Sequence, residues 1–345
     1  MLLAEGFQLV GLDAHFFDGA GLPELETKIP EISKDIRDVT IDELKGFDAI
    51  IHLAALSNDP MGDLKPELTL EINYRASVRL AQLAREAGVR RFVFSSSCSI
   101  YGASGSRALD ENARVAPLTA YAESKVRTED EVSRLADSGF SPVFLRNATA
   151  YGASPRLRAD VVLNNLTCWA VATGKIRIMS DGTPWRPLVH IEDISQAFIE
   201  ALRAPREAVH NQAFNVGSNE QNYQVRDIAE IVKQVVSGAS VQYGENAGPD
   251  ARNYRVDFSK IARVVPSFRP RWNARSGAEQ VYQSLAGIGL RVEDFQGRCF
   301  TRLVQLRFLL ESGRIDSSLR WTGDDAPATT AKIATRLTGQ GDDIY

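Results

Sequence analysis

Cysteine is scarce in this chain: Cys98, Cys168 and Cys299 are an odd number in 345 residues, far apart, with no CxxC pair and no histidine beside them. That excludes a disulfide scaffold and a cysteine-built metal site, and it places the protein in a reducing compartment. No run approaches the roughly 18 to 20 apolar residues of a membrane helix, and no basic region precedes an apolar one at the N-terminus, so the expected location is the cytoplasm, without a membrane partner. Charge of one sign is lacking too. Forty Lys+Arg against forty-four Asp+Glu leave a formal net charge of −4 with no basic block or stripe, which speaks against nucleic acid as a partner. Gly 25 and Pro 14 are too few for collagen or a low-complexity chain. What remains is an ordinary globular composition, 44% hydrophobic, with a length that suits two domains at roughly 150 residues each.

From residue 1 to about 150, short apolar runs alternate with amphipathic stretches, the pattern of parallel βαβ units. The strand-like runs are 7–13 (FQLVGLD), 47–55 (FDAIIHLAA), 90–97 (RRFVFSSS) and 140–147 (FSPVFLRN). Between them lie helices such as 74–88, where Ala76, Leu80, Leu83, Ala84 and Ala87 share one stripe and Gly88 is placed to end it. The expected fold is α/β, a Rossmann doubly wound parallel sheet over 1–150, with 188–215 returning to it. A smaller α/β substrate lobe takes 151–187 and 216–321. The last stretch, 322–345, has few large apolar residues and reads as a mobile tail.

The sharpest signal is Tyr121-Ala-Glu-Ser-Lys125, which sets a phenol and an ammonium one helical turn apart on the same face. A cation beside tyrosine favours the phenolate and makes it a usable base. Alone, such a pair is an ordinary helix surface. Here a serine-rich strand end, Ser95-Ser96-Ser97, precedes it by about 24 residues, and hydroxyls at the carboxyl end of a parallel strand face the ligand crevice.

On these two motifs the chain resembles the extended short-chain dehydrogenase/reductases, in their nucleotide-sugar epimerase/dehydratase branch, over about residues 1–265. The resemblance implies Ser97, Tyr121 and Lys125 as the catalytic residues and NAD as cofactor. It implies Asp13 on the adenosine ribose, Asp35 and Ile36 at the adenine, and Leu53, Ala54 and Ala55 as the turn beneath the cofactor. Asn73 matches the asparagine of a helix start, and Tyr121 and Lys125 also meet the nicotinamide ribose. The segment GKIRIMSDGTPWRPLVHIEDIS makes Arg186 a ligand of a nucleotide diphosphate. GPDARNYRVDFSKI makes Arg252 a second, ahead of Asp257, Ser259 and Lys260. Asn164 or Asn165 is the candidate asparagine at the same diphosphate. His190 and Asp193 read as capping and bracing residues.

The implied substrate is a nucleotide-diphosphate sugar and the implied reaction is epimerisation at carbon 4 through a transient ketone. A reductase of 4-keto-deoxysugar nucleotides and a noncatalytic binding subunit are the alternatives. The branch's homodimers pair two helices, here 74–88 and 121–138. Two departures bear on the substrate. The asparagine of the RxFNxYG pattern is Thr149 in RNATAYG, with Asn147 two positions earlier. The Asp-Glu pair that dehydratases carry after the catalytic hydroxyl is Cys98-Ser99; the resemblance places both at the substrate with Ser97, Asn147 and Thr149, but neither can act as a carboxyl acid or base in β-elimination.

The front of the chain departs most. MLLAEGFQLVGLD matches the end of a first Rossmann helix and the second strand, so the first strand and its GxxGxxG phosphate loop are not in the sequence. That strand is central, so a sheet without it exposes two inner edges. The expectation is that Met1 is an internal methionine of a longer protein. Beyond residue 265, Leu303, Leu306, Leu309 and Leu310 fall at helical spacing and read as packing.

Overall fold

Six strands build the first layer of the molecule in the computed structural model, which describes residues 1–323 apart from 23, 24, 26, 58, 63, 104–106 and 249–252. Arg252 and nearly all of the 322–345 tail therefore lie outside the described residues. The strands are β1 (Gly11–Asp13), β2 (Glu31–Ser33), β3 (Ala49–His52), β4 (Arg91–Ser97), β5 (Ser141–Asn147) and β6 (Gln212–Val216). Every pairing among them is parallel, but they form two sheets: β3-β4-β5-β6 and, separately, β1-β2.

The four-stranded sheet is covered on both faces, which is why its sequences are nearly continuous in apolar residues. Alternate side chains point to opposite faces. Phe92, Phe94, Phe140 and Phe144 meet Leu80, Ala84 and Val132 on one side. Val93, Val143 and Leu145 meet Ile194 and Phe198 on the other. Seven helices of ten or more residues are found among the described residues: α1 (Ala76–Glu86), α2 (Ala120–Ser133), α3 (Val162–Thr173), α4 (Ile191–Arg203), α5 (Val225–Val235), α6 (Ala274–Ala286) and α7 (Arg302–Glu311). As the sequence predicts, Gly88 follows α1 at φ +86°, a left-handed conformation that costs glycine no Cβ clash. No helix among the described residues is long and apolar enough to cross a membrane.

Between the outer edges of β1 and β3 runs an open trough of 2740 Å³, with Gly11, Leu12 and Asp13 on one wall and Ala49, Ile50 and Ile51 on the other. This is the place the 3-2-1-4-5-6 order assigns to the first strand. The strands beside it are shorter than their sequences predict. The run 7–13 keeps three residues in the ladder and 47–55 keeps four, whereas 90–97 and 140–147 keep seven each. A strand with a neighbour on one side only has half the ladder to hold it straight.

Past β5 the chain builds a second layer of small sheets. Trp185–His190 lies between Thr149–Tyr151 and Asn222–Gln224, and Lys175–Ser180 pairs with Ser240–Gly248. α3, α5 and α6 pack over them through Leu163, Leu166, Ile228 and Ala278. α7 returns to the first half, where Leu306 and Leu309 meet Leu56, Met61, Leu68 and Ile72.

Candidate active site

Ser97 is the last residue of β4, and its Oγ accepts the Ser99 N–H at 3.2 Å, capping the short turn Cys98–Tyr101. Opposite it in the ladder stands Asn147, the end of β5. Two strand ends thus present polar side chains at the carboxyl edge, where an open α/β sheet receives ligands. Tyr121 enters from α2. Thr119 caps that helix by accepting the Ala122 N–H at 3.2 Å, which fixes Tyr121 in the first turn and Lys125 one turn below. Sequence reasoning passes over Gly62, whose backbone lies so close that a Cβ there would stand 3.1 Å from the Tyr121 Cβ.

Lys125 is buried beneath the cleft floor. Its Nζ donates to the Ser95 carbonyl at 2.7 Å and lies 4.6 Å from the centroid of Phe94 and 5.6 Å from that of Tyr121. Burial pushes its pKa down to about 7, while the charge of Glu129, one turn further along α2, pulls toward the protonated form. Glu129 is itself held. Arg146 binds both its oxygens, at 2.7 to 3.1 Å, Ser96 donates to it, and Arg146 also reaches the Tyr101 hydroxyl at 3.0 Å. This buried ion pair with its satisfied neighbours underpins the residues above it.

The cleft over these groups measures 1410 Å³ and is lined by Ser97, Ser99, Tyr121, Asn147, Thr149, Asn165 and Arg186 from the predicted set. Two of them carry a buried polar atom with no partner, Ser99 Oγ and Asn147 Oδ1. Buried polar groups left alone are costly, so the pair suits a hydroxyl-rich ligand. Arg186 is nearly buried and donates one N–H to the Trp185 carbonyl at 2.9 Å. Arg158, not foreseen from the sequence, joins the cleft wall with a bidentate hold on Asp160 (2.8 and 2.9 Å) and a bond to Ser57 Oγ at 3.1 Å. The only hint of it is the alternation of arginines in PRLRAD.

Asp13, Asp35, Ile36, Leu53, Ala54 and Ala55 all line the trough next door. Asp13 is exposed at the end of β1 and accepts the His15 N–H at 2.8 Å. Asp35 caps a short turn and binds the Arg37 guanidinium at 2.7 to 3.1 Å, so its carboxylate is already engaged. Ile36 is buried in the cluster that holds α7.

Three predicted residues do not face a ligand. Cys98 is fully buried, donating its thiol to the Arg146 carbonyl at 3.1 Å, and burial pushes its pKa far up. Asn164 is buried and spends its amide on Gly152 and Arg158, whereas Asn165, 100° around the helix, reaches the cleft. Asn73 is buried in the turn before α1, its side chain bonding both the N–H and the C=O of Leu56. It shapes the Leu53–Leu56 loop and does not reach into the trough. His190 and Asp193 brace as read: His190 Nδ1 accepts the Glu192 N–H, and Asp193 accepts from Arg271 and Trp272.

A doubly wound parallel sheet with serine, tyrosine and lysine gathered at its strand ends defines an enzyme of the dinucleotide-binding α/β class. The model of the NAD dependent epimerase/dehydratase family matches residues 2–217, and the chain belongs to that family, whose cofactor is NAD. A UDP-glucose 4-epimerase of Lactobacillus helveticus is 29% identical over 258 residues, covering 70% of this chain and 75% of its own. One from Bacillus subtilis is 26% identical over 311 residues, 81% of this chain and 89% of its own. Among solved structures, MoeE5 in complex with UDP-glucose and NAD superposes with a TM-score of 0.70 at 26% identity, over 82% of this chain and 92% of that one.

Proposed function

We propose that this protein interconverts the carbon-4 epimers of a nucleotide-diphosphate hexose. The observation that carries the reading is the stack of Tyr121 over buried Lys125 beside Ser97, in a cleft where the two residues after Ser97 are a core thiol and a hydroxyl in place of an elimination pair. The residues present suit NAD: Asp13 matches a ribose diol, Leu53–Ala55 give an apolar bed, and the trough opens beside the cleft at Ser57, which lines both. NAD, when bound, supplies the reversible two-electron oxidation at the sugar carbon.

The chain's own groups handle the proton and the charge. Tyr121, as phenolate, takes the proton from O4 and later returns it. Lys125 holds the phenolate form, and Glu129 holds the charge on Lys125. Ser97 donates to the oxygen on which negative charge gathers. Arg186 grips the diphosphate with its planar donor fork, so the sugar can turn over about that anchor while the nucleotide stays put.

The test begins with acid release of nicotinamide cofactor from the purified protein, followed by incubation with UDP-glucose, UDP-glucuronate and dTDP-glucose without added cofactor. Retained NAD and interconversion of one sugar pair support the reading. Stoichiometric consumption of NADH with a 4-keto sugar would replace it with a reductase. Tyr121→Phe is expected to lower kcat by about 10²- to 10⁴-fold while leaving NAD content unchanged.

A further inference from the structure

Arg302 opens α7, in the region where sequence reading finds only packing leucines. Its guanidinium lies 4.5 Å from the centroid of Phe17, and Arg302, Phe17, Asp13 and Ser57 all line the trough. Among the described residues it has no hydrogen-bond acceptor. Arg158 has Asp160 and Arg156 has Asp18 at 3.1 Å, so the arginines around Arg302 hold carboxylates of their own. Burial, then the charge of Arg158, pushes the Arg302 pKa down to about 10, with Asp160 and Asp13 offsetting this in part. A partly exposed guanidinium that is crowded by like charge and has no protein acceptor among the described residues is a place where an anion is stabilised.

The anion's position follows from the walls. Ser57 lines both cavities, and Arg158 donates to its Oγ at 3.1 Å, so two guanidinium groups flank the passage between trough and cleft. Ser57 is the one polar residue among the described residues that line both cavities, so a dinucleotide with its ribose at Asp13 and its nicotinamide at Tyr121 finds its polar crossing there. We propose that Arg302 anchors the diphosphate of the bound dinucleotide, with Arg158 beside it. Guanidinium donors match phosphate oxygens in geometry as well as charge.

This rests on NAD as the cofactor, and the test separates the two. Binding of NADH, ADP, adenosine and NADPH to the full chain, first freed of any retained nucleotide, is measured by calorimetry for the unaltered protein, Arg302→Gln and Arg302→Lys, with Tm recorded for each. The expected result is a 10- to 100-fold loss of NADH and ADP affinity in Arg302→Gln, an equal loss for NADPH, adenosine unchanged, and partial recovery in Arg302→Lys. Unchanged NADH and ADP binding would overturn the inference. So would a loss confined to NADPH, which would make Arg302 a reader of the 2′-phosphate, or an equal loss for adenosine, which would reduce it to wall packing. If the unaltered chain binds none of the four, the cofactor reading itself falls and takes this one with it.

Discussion

The runs 140–147, which holds β5, and 7–13, which holds β1, are made of similar residues and meet different fates. β5 has a neighbour on each edge, runs for seven residues and buries six of them, while β1 has one neighbour, runs for three and ends on exposed Asp13. Residues 7–10 (FQLV) are as strand-like as 143–146 (VFLR), yet they stay out of the ladder. The length of a parallel strand is therefore set by its neighbours more than by its own propensity. The consequence for the site is uneven. Ser97 and Asn147 end strands of the four-stranded sheet and Lys125 is buried on α2 against the Ser95 carbonyl, whereas Asp13 and Leu53, the latter 60% exposed, stand on either side of the trough. The groups at the cleft are held by protein partners, and those along the trough are more exposed.

The largest effect should come from closing that difference. Joining an apolar extended segment that ends in GxxGxxG to Met1 is expected to fill the trough, pair both edges and aim backbone N–H groups at the diphosphate. Two or three such charge-assisted bonds at about 1.5 kcal/mol each amount to roughly 4 kcal/mol, or about a thousandfold in affinity for NADH. Calorimetry and a higher Tm would register it. Equal affinity with and without the extension would mean that the trough is not what limits the cofactor, and the comparison of the two strands would lose its functional point.

A second effect lies at the trough's inner wall. His52 ends β3, its ring tilted against those of Phe92 and Phe94 and its Nε2 at 2.7 Å from Ser77 Oγ. Burial first, and the Lys125 charge second, pushes its pKa down to about 3. The folded value lies below the unfolded value of roughly 6.5, so on acidification the unfolded chain takes the proton first. The contribution is intact above about pH 6.5 and is lost between there and pH 3, on the order of 5 kcal/mol in all. His52→Gln should flatten that acid limb in urea titrations at pH 7 and pH 4. An unchanged limb would assign the acid sensitivity to other groups.

Where the sequence was legible, each signal was local and repeated. The runs 90–97 and 140–147, the glycines that end α1 and α3, and the YxxxK turn all announce themselves within a few residues. What was hidden depends on a single angle. Cys98 follows Ser97 directly, but the short turn capped by Ser97 swings the thiol into the core. Asn164 and Asn165 are identical and adjacent, and one helical step decides which meets the cleft. Arg302 is one polar residue at the head of a helix, with no periodicity to mark it, and its meaning comes from Phe17 and Asp13, nearly 300 positions earlier.

The smallest expected effect tests the complete side of the sheet. Thr149 lines the cleft close after Asn147, whose Oδ1 has no partner, so this corner already offers the sugar an acceptor. Thr149→Asn adds a longer amide there without touching the trough. NADH binding should therefore stay as it is, while KM for the sugar nucleotide shifts by no more than about tenfold, the worth of one hydrogen bond. A steady-state comparison across UDP-glucose, UDP-glucuronate and dTDP-glucose would read it. Equal shifts for all three would mean that the position senses the nucleotide, and a shift for one alone would mean that it reads the sugar. No shift at all would overturn the expectation and leave Asn147 and Ser99, which line the same cleft, as the groups that choose the substrate.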